Sequence, residues 1–156
     1  SNPAGAPNQL IGVFAKEWVE PIAQVLKKLG SHHVLVVHAD DGLDEISIAS
    51  DTTIAELKEG EIFTYTISPE QFGFKRTSLT ELAVVDAESS LVMVNSVLDN
   101  KSGPARDIVI LNAGAAIYAA NITDSLAAGI KKAAHVIASG AARSKFDALI
   151  AYSKTS

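Results

Sequence analysis

The stretch "VVHADDGLDEIS", residues 36–47, sets an apolar run against four carboxylates, Asp40, Asp41, Asp44 and Glu45. Like charges this close push one another toward the protonated form unless something positive, or solvent, lies between them. Mg²⁺ is one such partner. It wants octahedral oxygen coordination and usually takes one or two protein carboxylates, leaving its other positions to water and substrate phosphates. Adjacent Asp44 and Glu45, near the end of an apolar strand, could supply those oxygens in a site for a phosphorylated substrate. The competing reading is a solvated turn at Asp40, Asp41 and Gly42, with the second pair as surface charge.

Other chemistry-bearing residues are scattered. His32, His33, His38 and His135 show no metal-ligand spacing. His38 beside Asp40 could act as a general base, but a histidine at a strand end is more often simply hydrogen-bonded. There is no G-x-S-x-G elbow, no G-x-x-x-x-G-K-[ST] and no G-x-G-x-x-G, so no phosphate-cradling glycine loop is present in this sequence. In "GPARDIVILNAGAAIYAA", Arg106 could contact an anion. The simpler reading pairs Arg106 and Asp107 with neighbours in a first helical turn and hydrogen-bonds Asn112 within the core. The apolar run followed by two acids also resembles the ribose-binding segment of type I phosphoribosyltransferases. That segment continues into a Thr-rich, Gly-containing loop, whereas "GLDEIS" follows here.

Bulk properties narrow the class. A chain of 156 residues is expected to form a single domain, residues 1–156, around one core. The net charge of −5 argues against nucleic acid, whose binding needs clustered cations. With no cysteine, disulfides and thiolate metal sites are excluded, which fits a cytoplasmic location. Apolar stretches such as 113–120 are far short of the ~20 residues that span a membrane, so a soluble protein without a membrane partner is expected. Ser1 is not an initiator Met and no apolar leader opens the chain, so it reads as a piece of something longer.

The elements that must hold the acids follow from periodicity. "QLIGVF", residues 9–14, and "HVLVVH", residues 33–38, read as buried strands, and the apolar stripe Trp18, Ile22, Val25, Leu26 and Leu29 between them reads as a helix that Gly30 stops. Pro21 is tolerated if that helix begins near Glu17, or kinks. Strand, helix and strand make a right-handed βαβ unit, which places Asp40 through Glu45 at the carboxyl edge of a sheet, where α/β folds bind ligands. "TTIAEL" and "EIFTYTIS" predict an antiparallel hairpin turning at Lys58, Glu59 and Gly60. Residues 68–85 predict a loop with a helical turn. Four helices then follow: one capped by Asp86 with Leu91, Val94 and Leu98 on its apolar side; one opened by Pro104 with Ile108, Leu111, Ala115 and Tyr118 on one face; one from about Asp124 toward Gly140; and one carrying Phe146, Leu149 and Ile150. The expected class is α/β: a partial, mainly parallel sheet with an antiparallel hairpin, flanked by helices and ending in a helical C-terminal segment. So thin a sheet calls for completion by further sequence or by another chain.

Several segments together resemble one family, the anthranilate phosphoribosyltransferases of tryptophan biosynthesis: "NPAGAPNQLIGVF", "VEPIAQVLKKLGSHHVLVVHADDGLDEIS", "ELKEGEIFTYTISPEQFGF" and "GPARDIVILNAGAAIYAA". The resemblance implies a C-terminal portion of a large α/β domain, in a protein about twice this length that works as a homodimer. It implies transfer of phosphoribose from phosphoribosyl pyrophosphate (PRPP) to the amine of anthranilate, with pyrophosphate leaving. Mg²⁺ is the implied cofactor, held by an acidic pair that matches Asp44 and Glu45. The family's G-T-G-G-D loop and its Arg-bearing helix would lie before Ser1, and only Asn2 and Pro3 represent the loop that approaches the aromatic substrate, so the isolated chain is expected to be inactive. Two alternatives stay open: a non-catalytic interaction or dimerisation domain on the same scaffold, and a relative that uses another aromatic or nucleobase acceptor.

Overall fold

The computed structural model describes residues 5–155. Its sheet is built from β1 (Asn8–Gly12), β2 (His33–Ala39), β3 (Thr52–Lys58) and β4 (Glu61–Ile67), in the spatial order β1-β2-β3-β4. Between β1 and β2 runs α1 (Val19–Lys28). The tail supplies α2 (Ala87–Leu98), α3 (Pro104–Ala119), α4 (Leu126–Ala138) and α5 (Ala141–Ser153).

Among the described residues parallel pairing is limited to β1 and β2, because the acidic stretch returns the chain directly into β3, antiparallel to β2, and a two-residue turn then adds β4. In that turn Glu59 and Gly60 both have left-handed backbones, at φ 52° and 79°. This is the two-residue hairpin geometry that suits the twist of the flanking strands. The irregular segment carries two 3₁₀ turns, Pro69–Phe72 and Leu79–Leu82.

Alternation along the strands divides the core between the two faces of the sheet. Leu35, Val37, Ile54 and Ile67 pack against Leu111 and Ala115 of α3 and Ile130 and Ile137 of α4. On the other face Val34, Val36, Ala55 and Leu57 meet Val19, Ala23 and Leu26 of α1. Every residue of β2 is buried, which explains its unbroken apolar reading. The helix α1 is turned by one position from the expected stripe: Val19, Ala23 and Leu26 face inward, whereas Val25 and Leu29 are 50% and 75% exposed. Both stripes satisfy a 3.6-residue period, and the small Ala23 lets the helix approach the sheet. Pro21 lies in the first turn, after a 3₁₀ turn at Lys16–Trp18, where its missing N–H costs nothing.

In the tail, Asp86 caps α2 by accepting a 2.7 Å hydrogen bond from the Ser89 amide, as its position predicts. The expected apolar side of α2 is mostly uncovered, with Leu91 and Val94 exposed and Val97 buried instead. α3 and α4 cross at glycines. A Cβ on Gly114 would come within 2.5 Å of Ile130 Cα, and one on Gly129 within 2.3 Å of the Gly114 carbonyl oxygen. Arg143 of α5 anchors that helix to the end of α2, donating to Asn95 Oδ1 at 2.6 Å and to Asp99 at 2.8 Å.

A polar cluster is buried between sheet and tail, at the sheet end opposite the acidic stretch. Glu56 accepts hydrogen bonds from Tyr118 at 2.6 Å, from Tyr65 at 2.8 Å and from His33 Nε2 at 3.0 Å. His33 Nδ1 meets the Asn121 side-chain amide at 2.6 Å, and the His33 and Tyr118 rings sit edge to face. Burial, followed by the bond to Glu56, pushes the Tyr65 phenol above its ordinary value; burial and Glu56 do the same to Tyr118, opposed by Lys58. The sign follows from linkage. A raised phenol holds its proton in the folded state after the unfolded chain has lost it, so its contribution is complete below pH ~10 and declines as pH rises beyond that. Alkaline titration of stability should therefore show a fall that begins near pH ~10. Tyr65→Phe should remove part of that slope, at most about 1.4 kcal/mol per pH unit and less at this half-buried ring because solvent screens it. An unchanged slope in Tyr65→Phe would contradict this assignment.

Candidate functional site

The acidic stretch is braced on all sides by its own backbone and by β1. β1 ends at Gly12 beside Val37, shortly before β2 ends at Ala39, and the next amide, Val13 N–H, still donates to Val37 O at 3.0 Å. Beyond β2 the chain turns tightly, with Gly42 N–H donating to Ala39 O at 2.9 Å and Ala39 N–H to Leu43 O at 3.0 Å. Gly12 lies so close to the Asp44 carbonyl that an added Cβ would fall 1.4 Å from its oxygen. Only a residue without a side chain fits between the end of β1 and the acidic turn.

The four carboxylates then separate into three situations. Asp41 is an internal strut, accepting from the Leu43 amide at 3.2 Å and from Ser47 Oγ at 2.5 Å. Asp40 faces Lys16 Nζ at 3.5 Å with both side chains exposed, an ion pair of small energetic weight. Asp44 and Glu45 are exposed and make no side-chain hydrogen bond or ion pair among the described residues. Their donor set suits a hard divalent cation: two adjacent, uncommitted carboxylates at the sheet edge. Among the described residues no three His, Asp or Glu side chains gather into a cage, so a cation here would keep most of its positions for water or substrate oxygens.

Asn112 of α3 reaches the same segment. Its Oδ1 accepts from Ile46 N at 2.9 Å, and its Nδ2 donates to Ile46 O at 2.8 Å and to Ile108 O at 3.0 Å. The sequence marks Asn112 as a hydrogen-bonded residue on an apolar helix, but the periodicity of α3 carries no information about which backbone it meets. Beside Glu45 lies an apolar cavity of about 420 Å³, walled by Leu43, Leu82, Met93, Val97 and Ile108.

The histidines take no part in the acidic site. His38 Nδ1 donates to the Val13 carbonyl at 2.8 Å, the hydrogen-bonded role expected of a strand-end histidine. His33 belongs to the Glu56 cluster at the far end, and His32 and His135 are exposed and apart. Arg106 donates to Asn100 Oδ1 at 2.6 Å and pairs with Asp107 at 3.6 Å, so both are engaged with neighbours. Partial burial raises the Asp107 carboxyl, and Arg106 offsets this in part. Asn2 and Pro3 lie outside the described residues.

Comparison with known proteins places this arrangement. The family model described as glycosyl transferase family, a/b domain, matches residues 1–143. A curated anthranilate phosphoribosyltransferase from Methylococcus capsulatus is 64% identical over 99% of this chain and 45% of its own length, and one from Thioalkalivibrio sulfidiphilus is 55% identical over 97% and 45%. The chain thus spans about half the length of the curated relatives it matches. Among solved structures, anthranilate phosphoribosyltransferase from Thermus thermophilus superposes with a TM-score of 0.87 at 37% identity, over 97% of this chain and 44% of that one. The Saccharomyces cerevisiae enzyme in complex with PRPP and Mg superposes with a TM-score of 0.74 at 25% identity, over 85% of this chain and 39% of that one. The mixed sheet, its helical covering and the match across residues 1–143 agree: the chain belongs to the glycosyl transferase family, within its a/b domain.

Proposed function

We propose that this chain is the cation-holding part of an anthranilate phosphoribosyltransferase, a single unit within a larger α/β domain, and that Asp44 and Glu45 hold Mg²⁺ against the pyrophosphate of PRPP. The observation that carries the reading is that these two acids are the exposed, uncommitted pair in a turn whose other two acids already have partners. The names of the relatives supply the donor and acceptor classes.

When bound, Mg²⁺ would neutralise charge on the departing pyrophosphate. The chain's own contribution is positional. Asp41 and Gly12 hold the turn, so the pair meets a metal-loaded substrate with little reordering, and an apolar wall lies along the flank beside Glu45. A 1 Å misplacement of such groups costs about 100-fold, so a chain that carries half of a site should not turn over. The protein of the relatives' length is proposed to act in the cytoplasm as a homodimer. Exposed apolar side chains on α1 and α2, such as Val25 and Val92, favour faces covered by further protein. No helix among the described residues is long and apolar enough to cross a membrane.

Calorimetric titration of PRPP, with and without Mg²⁺, tests the reading on this chain and on a protein of the relatives' length. Mg²⁺-dependent binding should weaken about 100-fold in Asp44→Asn with Glu45→Gln. Binding unaffected by the double substitution would overturn the metal assignment. Turnover by the 156-residue chain alone would overturn the claim of inactivity.

A further inference from the structure

We infer that Asn112 is a positioning residue for the cation-holding pair: from α3 it clamps the peptide next to Glu45 and so sets the direction in which Asp44 and Glu45 project. The inference rests on the reading of those two residues as the metal pair.

The geometry is specific. Ile46 follows Glu45 directly and is 2% exposed, so its backbone N–H and C=O need partners inside the protein. One side chain satisfies both, at 2.9 and 2.8 Å, as a neighbouring strand would. The second hydrogen of the Asn112 amide goes to Ile108 O, one helical turn back, so the acceptor and both donors are all employed. That network also fixes the amide's orientation, since a flipped amide would set N–H against N–H at Ile46. The helix that carries Asn112 is itself immobilised by Leu111 and Ala115 in the core.

This bears on the pair because neither the Asp44 nor the Glu45 carboxylate is held by a side chain among the described residues. Before a cation arrives, their placement depends on the backbone at either side. Gly12 presses on the Asp44 carbonyl and Asn112 grips Ile46, so Asp44 and Glu45 are bracketed between two rigid contacts. Outer partners that orient metal-binding residues typically account for about 10- to 100-fold in metal affinity. Asn112 acts through backbone, so the lower end of that range is expected.

The test uses a protein of the relatives' length carrying this segment, with Mn²⁺ as the probe in the presence of PRPP, followed by electron paramagnetic resonance. Asn112→Asp keeps an acceptor for Ile46 N–H but cannot donate to Ile46 O. It should weaken Mn²⁺ binding about 10-fold. Glu56→Gln, which lowers stability from the opposite end of the sheet, should leave Mn²⁺ affinity unchanged. Wild-type affinity in Asn112→Asp, alongside loss in Asp44→Asn with Glu45→Gln, would overturn the clamp and leave the metal reading intact. Equal weakening in Asn112→Asp and Glu56→Gln would assign the effect to general destabilisation and also overturn it. Wild-type affinity in the acidic double variant would remove the metal reading, and the inference with it. Hydrogen exchange on the wild-type protein needs no variant to fold: the Ile46 amide should exchange at least about 10-fold more slowly than an unprotected loop amide, both with and without Mg²⁺ and PRPP. An Ile46 amide that exchanges as fast as an unprotected loop amide in both states would refute the clamp.

Discussion

Glu56→Gln is expected to lower the stability of this protein by about 3 kcal/mol, a fall in melting temperature on the order of 10 °C. Glu56 is 8% exposed and accepts three hydrogen bonds, from Tyr65, Tyr118 and His33. The substitution removes the charge and replaces one accepting oxygen with an amide donor. Tyr65, the partner of Oε2, can then keep its bond only by turning its hydroxyl to accept, and the bonds from Tyr118 and His33 to Oε1 lose the negative charge that strengthens them. The loss extends beyond one bond because the cluster joins layers: His33 is on β2, Glu56 on β3, Tyr65 on β4 and Tyr118 on α3. Chemical denaturation of the wild type and Glu56→Gln measures the difference. A change below about 1 kcal/mol would mean that the cluster is hydrated and joins nothing.

Gly12→Ala should produce the largest effect that any single methyl has on the acidic turn. The new Cβ would fall 1.4 Å from the Asp44 carbonyl oxygen; a Cβ is fixed by its own backbone and the oxygen is itself a backbone atom, so a rotamer change cannot relieve the overlap. Either β1 shifts along β2 or the turn moves away. Overpacking of this kind costs about 1–3 kcal/mol, and displacement of the pair should weaken Mg²⁺-dependent PRPP binding about 10- to 100-fold. The two readouts separate the responses. A stability loss with unchanged binding would place the movement in β1; a binding loss with little change in stability would place it in the turn. No change in either would contradict the close contact.

Much of the frame was legible because it depends on local pattern. Alternation and all-apolar runs marked β2 and the β3–β4 hairpin, Asp86 and Pro104 marked helix starts, and the four carboxylates marked the turn. Where reading failed, two local solutions were equally good. Residues 18, 22, 25, 26 and 29 and residues 19, 22, 23 and 26 both form helical stripes that share Ile22 and Leu26, and packing against the sheet selected the second. Parallel pairing was expected to dominate, yet it is confined to one strand pair because the acidic stretch leads straight into an antiparallel neighbour.

The sequence by itself determined the composition of the site: which residues at the sheet edge carry charge, and that two acidic pairs lie within six residues. It also carried the family, since the matched segments run nearly the length of the chain. Tertiary structure decided what each acid does. Asp41 became a strut because Ser47 folds back onto it, while Asp44 and Glu45 stayed uncommitted between Gly12 and Asn112. Gly12 is 32 residues from Asp44 along the chain and Asn112 is 66 from Ile46. Periodicity reports on neighbours within a few residues, whereas contacts at such separations exist only once strand register and helix packing are set.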